Sequence, residues 1–157
     1  MNWKNSRIAA TIICIFLITG AGVFSQMAGA QAQPSFSPKI PRGCTALKEV
    51  STGSTVIRKQ VRMGDQNVDF AVPPGRRFKS YRAEMRPEND ANYSVEINLK
   101  YSDNTSAKVY TRNISMTRMK QYKLAFKTPI AKQPYQVNLN VSSKRNNAYS
   151  VAVQACR

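Results

Sequence analysis

A chain of 157 residues suits one domain and is short for two. It contains no histidine, which removes Ser-His-Asp and Cys-His catalysis, the imidazole general base and every histidine-ligated metal site. Lys and Arg number 24 against 8 Asp and Glu, a formal +16, so a weak, salt-sensitive attraction to polyanions is built into the surface.

In chain order, Lys4 and Arg7 precede an apolar run from Ile8 to Phe24, and small residues follow at Ala28, Ala30 and Ala32. That is the order of a secretory signal peptide over 1–30, cleaved to leave Gln31 or Gln33 first. The run contains Gly20 and Gly22 and is short for a stable span, so no transmembrane segment is expected after cleavage. Cys14 lies inside the apolar run behind Ile13, which is wrong for a lipoprotein signal. Residues 31–43 are proline-rich and read as an extended linker. A single domain then covers 44–157.

That domain opens at Cys44, and Ala46 to Val50 has room for one turn of helix. From there period-two alternation dominates, the mark of half-buried strands. Weaker strands are predicted over Thr55–Met63, Phe78–Met85 and Ala107–Ile114. Val68, Phe70 and Val72 make a short strand ended by Pro73-Pro74-Gly75. The clearest strand is Tyr93 to Tyr101, with Tyr93, Val95, Ile97, Leu99 and Tyr101 inward. Tyr122, Leu124 and Phe126 share a face. Tyr135, Val137, Leu139 and Val141 point inward in the next strand, and Tyr149, Val151 and Val153 in the last. Turn residues fall between the runs at 87–90, 102–104 and 144–147. About eight strands without a sustained helical stripe predict an all-β antiparallel sandwich, jelly-roll or immunoglobulin-like.

In an oxidising compartment the two cysteines outside the leader, Cys44 and Cys156, are expected to pair and close nearly the whole domain. Thiol catalysis and zinc–thiolate sites then have no ligands. Glu84 and Glu96 are the one carboxylate pair that could face each other across paired strands, as glycoside hydrolysis would need. Asp65, Asn67 and Asp69 imitate the start of a calcium loop, but Phe70 replaces its glycine and Arg76 its terminal glutamate. No metal, no cofactor and no enzymatic activity are therefore expected. The sequons at Asn92, Asn104, Asn113 and Asn140 read as incidental beside a bacterial-looking cleavage site.

Binding residues are sought where cations and aromatics interleave. Lys108, Tyr110 and Arg112 alternate with Ala107, Val109 and Thr111, so burial of Val109 would turn a tyrosine outward between two cations. Arg76, Arg77 and Lys79 surround Phe78, and Arg82 and Arg86 continue the run. Arg118, Lys120, Lys123 and Lys127 form a further group. The sequence thus predicts a secreted or periplasmic noncatalytic sandwich binding an anionic polysaccharide, lipopolysaccharide or envelope surface. Nucleic acid is not expected in that compartment. The competing reading is a structural or accessory subunit that binds another protein.

Overall fold

The computed structural model describes residues 35–62 and 66–157; the predicted signal segment, its predicted cleavage sites and Asp65 lie outside them. Ten strands and no helix occur among the described residues. They are β1 Cys44–Ala46, β2 Lys48–Glu49, β3 Ile57–Gln60, β4 Gln66–Ala71, β5 Ser80–Pro87, β6 Ala91–Lys100, β7 Ser106–Met116, β8 Tyr122–Phe126, β9 Gln136–Ser142 and β10 Ala148–Cys156.

The strands form a sandwich of two five-stranded antiparallel sheets. The first has the order β1-β10-β5-β8, with β3 also pairing β10; the second has the order β2-β4-β9-β6-β7. This is the all-β disulfide-closed sandwich that the alternation predicts, with ten strands in place of eight. The two extra strands, β1 and β2, replace the predicted helical turn at Ala46–Val50. Cys44 is tied opposite Cys156 and Glu49 opposite Phe70, and the Leu47 and Val50 N–H groups donate to the Val153 and Asp69 carbonyls (2.8 and 2.9 Å), so both sheets take donors that a helical turn would need. The strand predicted over Thr55–Met63 is shorter, Ile57–Gln60.

The core lies between the sheets. Val95, Ile97 and Leu99 of β6 face it beside Val137, Leu139 and Val141 of β9. Tyr81, Ala83 and Met85 of β5 and Val151 and Val153 of β10 close it from the other sheet. Each fully buried Val, Leu or Ile contributes about 1.5–3 kcal/mol relative to an exposed one. Tyr81 stacks on Phe126 at 5.7 Å, and Tyr93 meets Tyr149 edge-on at 6.2 Å. Burial holds the Tyr81 and Tyr93 hydroxyls protonated, pushing both up to about 12.

The outward faces of the two sheets differ. On the first, β10 is buried on both sides, and Glu84 and Gln154 are each 1% exposed. Residues 35–43 run extended across this face: Gln154 Nε2 donates to the Lys39 carbonyl (3.1 Å), and Phe36 packs under the Arg86 guanidinium at 5.2 Å. Arg82 bonds both Gln154 and Glu84 (2.7 and 3.0 Å). On the second sheet the outward positions of β4, β9, β6 and β7 are almost wholly amides, hydroxyls and paired charges. Cross-strand rows bring Asp69, Asn138, Asn98 and Lys108 together, and likewise Asn67, Asn140, Glu96 and Thr111. Glu84 and Glu96 are therefore on different sheets and on opposite outward faces, so the predicted carboxylate pair does not form.

Candidate binding surfaces

The expectation that Lys108, Tyr110 and Arg112 share one outward face is corrected by a bulge in β7. Lys108 pairs Asn98 and Tyr110 pairs Ile97, which leaves Val109 without a partner across the ladder. One extra residue reverses the alternation beyond it. Lys108 stays outward and pairs Glu96 at 2.6 Å. Tyr110 and Arg112 turn to the core side of this edge strand, opposite Ile97 and Val95. There the tyrosine is half-buried against the core margin, and its ring meets the Arg112 guanidinium at 5.9 Å. The three residues form no single surface.

Arg76, Arg77 and Lys79 lie in the loop from β4 to β5, which the topology places at the disulfide end of the sandwich. Pro74 and Gly75 make the turn, with Gly75 at φ +74° where a side chain would be strained. Phe78 is buried and fastens the loop. Its N–H donates to Gln133 Oε1 (3.0 Å), while Gln133 Nε2 donates to the Tyr81 hydroxyl (2.6 Å). Lys79 N–H donates to the Cys156 carbonyl (2.8 Å) and Val72 N–H to the Tyr135 carbonyl (2.8 Å). The guanidinium and ammonium groups thus stand outward from a tethered backbone. Gln133→Ala is expected to lower the unfolding free energy by roughly 1–2 kcal/mol, because it strips partners from two part-buried groups. Faster hydrogen exchange at the Phe78 amide would accompany the loss.

The same end collects further cations. Arg42 and Arg157 flank the disulfide, where Arg157 N–H donates to the Gly43 carbonyl (3.1 Å). Lys127 follows Phe126, which is opposite Tyr81. The other members of its predicted group lie elsewhere: Arg118 and Lys120 precede β8, and Lys123 faces Glu84 on it. Arg82 and Arg86 likewise leave the run, on the β5 face under residues 35–43. Among the described residues, Arg76, Arg77 and Lys79 make no ion pair, and the acid in this end's loops, Asp103, is bound by Lys132.

Tyr135 also belongs to this end, and its predicted inward orientation is corrected. It is 49% exposed. Parity with Val137 pointed it to the core, but β9 begins at Gln136 and the core ends there. The signal missed was Pro134, which marks a strand boundary. The disulfide end of the sandwich therefore carries an exposed phenol as well as Arg76, Arg77, Lys79 and Lys127.

The acidic side chains are held by neighbours. The Lys108 ammonium, then the Asn98 amide (2.9 Å), lower the Glu96 carboxyl below its ordinary value. Burial pushes Asp69 up, but hydrogen bonds from Asn138, Gln136 and Lys100 outweigh it, and the net shift is downward. Lys132 and Thr105 hold Asp103 well below the carboxylate range. Folded values below the unfolded ones mean that the unfolded chain binds protons first as pH falls. Stability should be flat from pH 8 to about 5 and decline below about 4, as these groups protonate. Thermal unfolding across that range checks this; a midpoint that rises on acidification would contradict it. Among the described residues no cluster of carboxylates and cysteines has the arrangement to hold a metal ion.

A concavity of about 600 Å³ opens at the far end, lined by Asp90, Asn92, Ser115, Thr117, Lys144 and Asn147 among others. Asp90 Oδ1 accepts from the Arg118 N–H (2.6 Å), and Asn147 Nδ2 donates to Ser143 Oγ (2.9 Å).

No family model matches this chain, and no curated protein sequence matches it. Solved structures of family 29 carbohydrate-binding modules are similar to it. One variant is 17% identical, covering 73% of this chain and 76% of its own, with a TM-score of 0.45. Another, complexed with mannohexaose, is 14% identical over 76% of this chain and 84% of its own, with a TM-score of 0.46. A further family 29 module is 12% identical over 71% and 86%, with a TM-score of 0.39. No residue role is carried from them to this chain.

Proposed function

We propose that this protein is a secreted or periplasmic, noncatalytic sandwich that binds an anionic polymer at its disulfide end. The observation that carries the reading is the tethered loop with Arg76, Arg77 and Lys79, at the same end of the sandwich as exposed Tyr135. A loop whose backbone is already tethered loses less entropy on binding an anion than a mobile one, and a phenol ring offers a sugar its flat face. The polymer class is an acidic polysaccharide, lipopolysaccharide or similar envelope polymer. The Cys44–Cys156 bond supports an oxidising compartment. A noncatalytic role is supported by the lack of histidine and by acids engaged with neighbouring groups.

A protein partner would most simply add a strand to β7, the long edge of the second sheet. The bulge at Val109 and the cations Lys108 and Arg112 on that edge disfavour such pairing. The deciding experiment measures binding of a carboxylated and a sulfated polysaccharide across a salt series. It compares the Arg76→Gln, Arg77→Gln, Lys79→Gln triple variant with a control triple at the far end, Arg118→Gln, Lys144→Gln, Arg145→Gln. Equal losses from both triples would reduce the effect to diffuse charge.

A further inference from the structure

The outward face of the second sheet differs in kind from the basic end. On its central strands β6 and β9 the outward positions pair as Ser94 with Ser142, Glu96 with Asn140, Asn98 with Asn138 and Lys100 with Gln136. None is aliphatic or aromatic. On a chain of formal +16 this area is nonetheless charge-balanced, because Asp69 pairs Lys100 (3.3 Å) and Glu96 pairs Lys108 (2.6 Å). An anionic ligand would have to compete with those carboxylates. A neutral ligand rich in hydroxyls would not, since amides and hydroxyls both donate to and accept from hydroxyl groups, and the paired carboxylates accept from them.

The grid is also held in place before any ligand arrives. Asn138 Nδ2 donates to Asn67 Oδ1 (3.2 Å) and Asp69 Oδ1 (2.8 Å), and Asn98 Nδ2 donates to Glu96 Oε1 (2.9 Å). Asn98 is half-buried and Asn138 8% exposed, so of the two Asn98 offers the more accessible amide. Side chains fixed in this way cost less entropy to engage. Outward positions recur about every 6.8 Å along a strand and about 4.8 Å across the sheet. From Asn92 to Lys100 the face spans about 27 Å at the antiparallel rise. At the Asn92 end it continues into the 600 Å³ concavity, where Asp90, Thr117 and Asn147 add acceptors and donors.

We propose that this face binds an uncharged, linear run of polysaccharide laid along β6 and β9, with the far-end concavity receiving one terminus of the chain. This is a second surface, independent of the basic end: it recognises hydroxyl groups, and the basic end recognises anions. The experiment is an NMR titration of the full protein with linear neutral hexasaccharides of glucose, mannose and N-acetylglucosamine at low and high salt. At least one should shift the side-chain amide signals of Asn98 and Asn138, with an affinity that salt changes less than about twofold. Asn98→Ala should weaken that binding about two- to tenfold, the loss expected from one hydrogen-bonding group. Thr111→Trp, which sets an indole over the Glu96 row, should weaken it at least as much while the melting temperature holds. The Arg76→Gln, Arg77→Gln, Lys79→Gln triple should leave it unchanged. The proposal is overturned if none of the three sugars shifts those amides, if both face variants bind like the parent, or if the basic-end triple abolishes neutral binding. Retained binding of the acidic polymers in any of these cases leaves the basic-end reading standing.

Discussion

Cys44→Ser is expected to lower the unfolding free energy by about 2–5 kcal/mol, the range for removing a native disulfide from a secreted domain of this size. The bond joins positions 112 residues apart in the chain. A loop of that length loses roughly 4–5 kcal/mol of closure entropy in the unfolded state. The structural role is local as well: β1 is three residues long and is held to β10 through Cys44–Ala46 and the Leu47 N–H, which donates to the Val153 carbonyl (2.8 Å). Without the crosslink this edge has too few ladder bonds to stay ordered, and residues 35–43, which lead into it, would loosen from Gln154 and Arg86. Denaturant unfolding of the parent and of Cys44→Ser checks the magnitude. Hydrogen exchange should show β1 losing protection first. Equal stability would mean that strand pairing alone holds the two ends together.

The triple substitution Arg76→Gln, Arg77→Gln and Lys79→Gln should weaken polyanion binding by roughly 0.6–3 kcal/mol, taking each exposed ion pair at about 0.2–1. That is about three- to a hundredfold in affinity at low salt. The slope of log affinity against log salt should become shallower, because fewer counterions are released on binding. Tyr135→Ala should weaken binding with little change of that slope, since it removes ring contact and no charge. With no histidine in the chain, the protein contributes no side chain with an ordinary value between pH 5 and 8. Binding should therefore stay level over that interval. A marked pH dependence there would place the titration on the ligand or assign the binding to another surface.

The sequence by itself determined the sandwich and its central strands. In β6, β9 and β10 every second residue is apolar, and a strand with one face against a core tolerates no slip of that register. It also determined the disulfide, because Cys44 and Cys156 were the one pair outside the predicted leader. What only tertiary structure decided are features set by a partner strand or by a boundary. The bulge at Val109 is invisible in the β7 sequence, because it exists only relative to Asn98 and Ile97 on β6, and it alone split Lys108 from Tyr110 and Arg112. Tyr135 continues the parity of β9 but lies past the edge of the core, and period two says nothing about where a core ends. β1 and β2, three and two residues long, are too short to show an alternation. The burial of Glu84 and Gln154 on an outward face depends on residues 35–43 crossing it. The basic end exists because antiparallel topology returns Arg42, Arg76, Arg77, Lys79, Lys127 and Arg157 to one end of the sandwich. Alternation reports which way a side chain faces along its own strand, while the neighbours it acquires across the chain depend on strand order, which local periodicity does not contain.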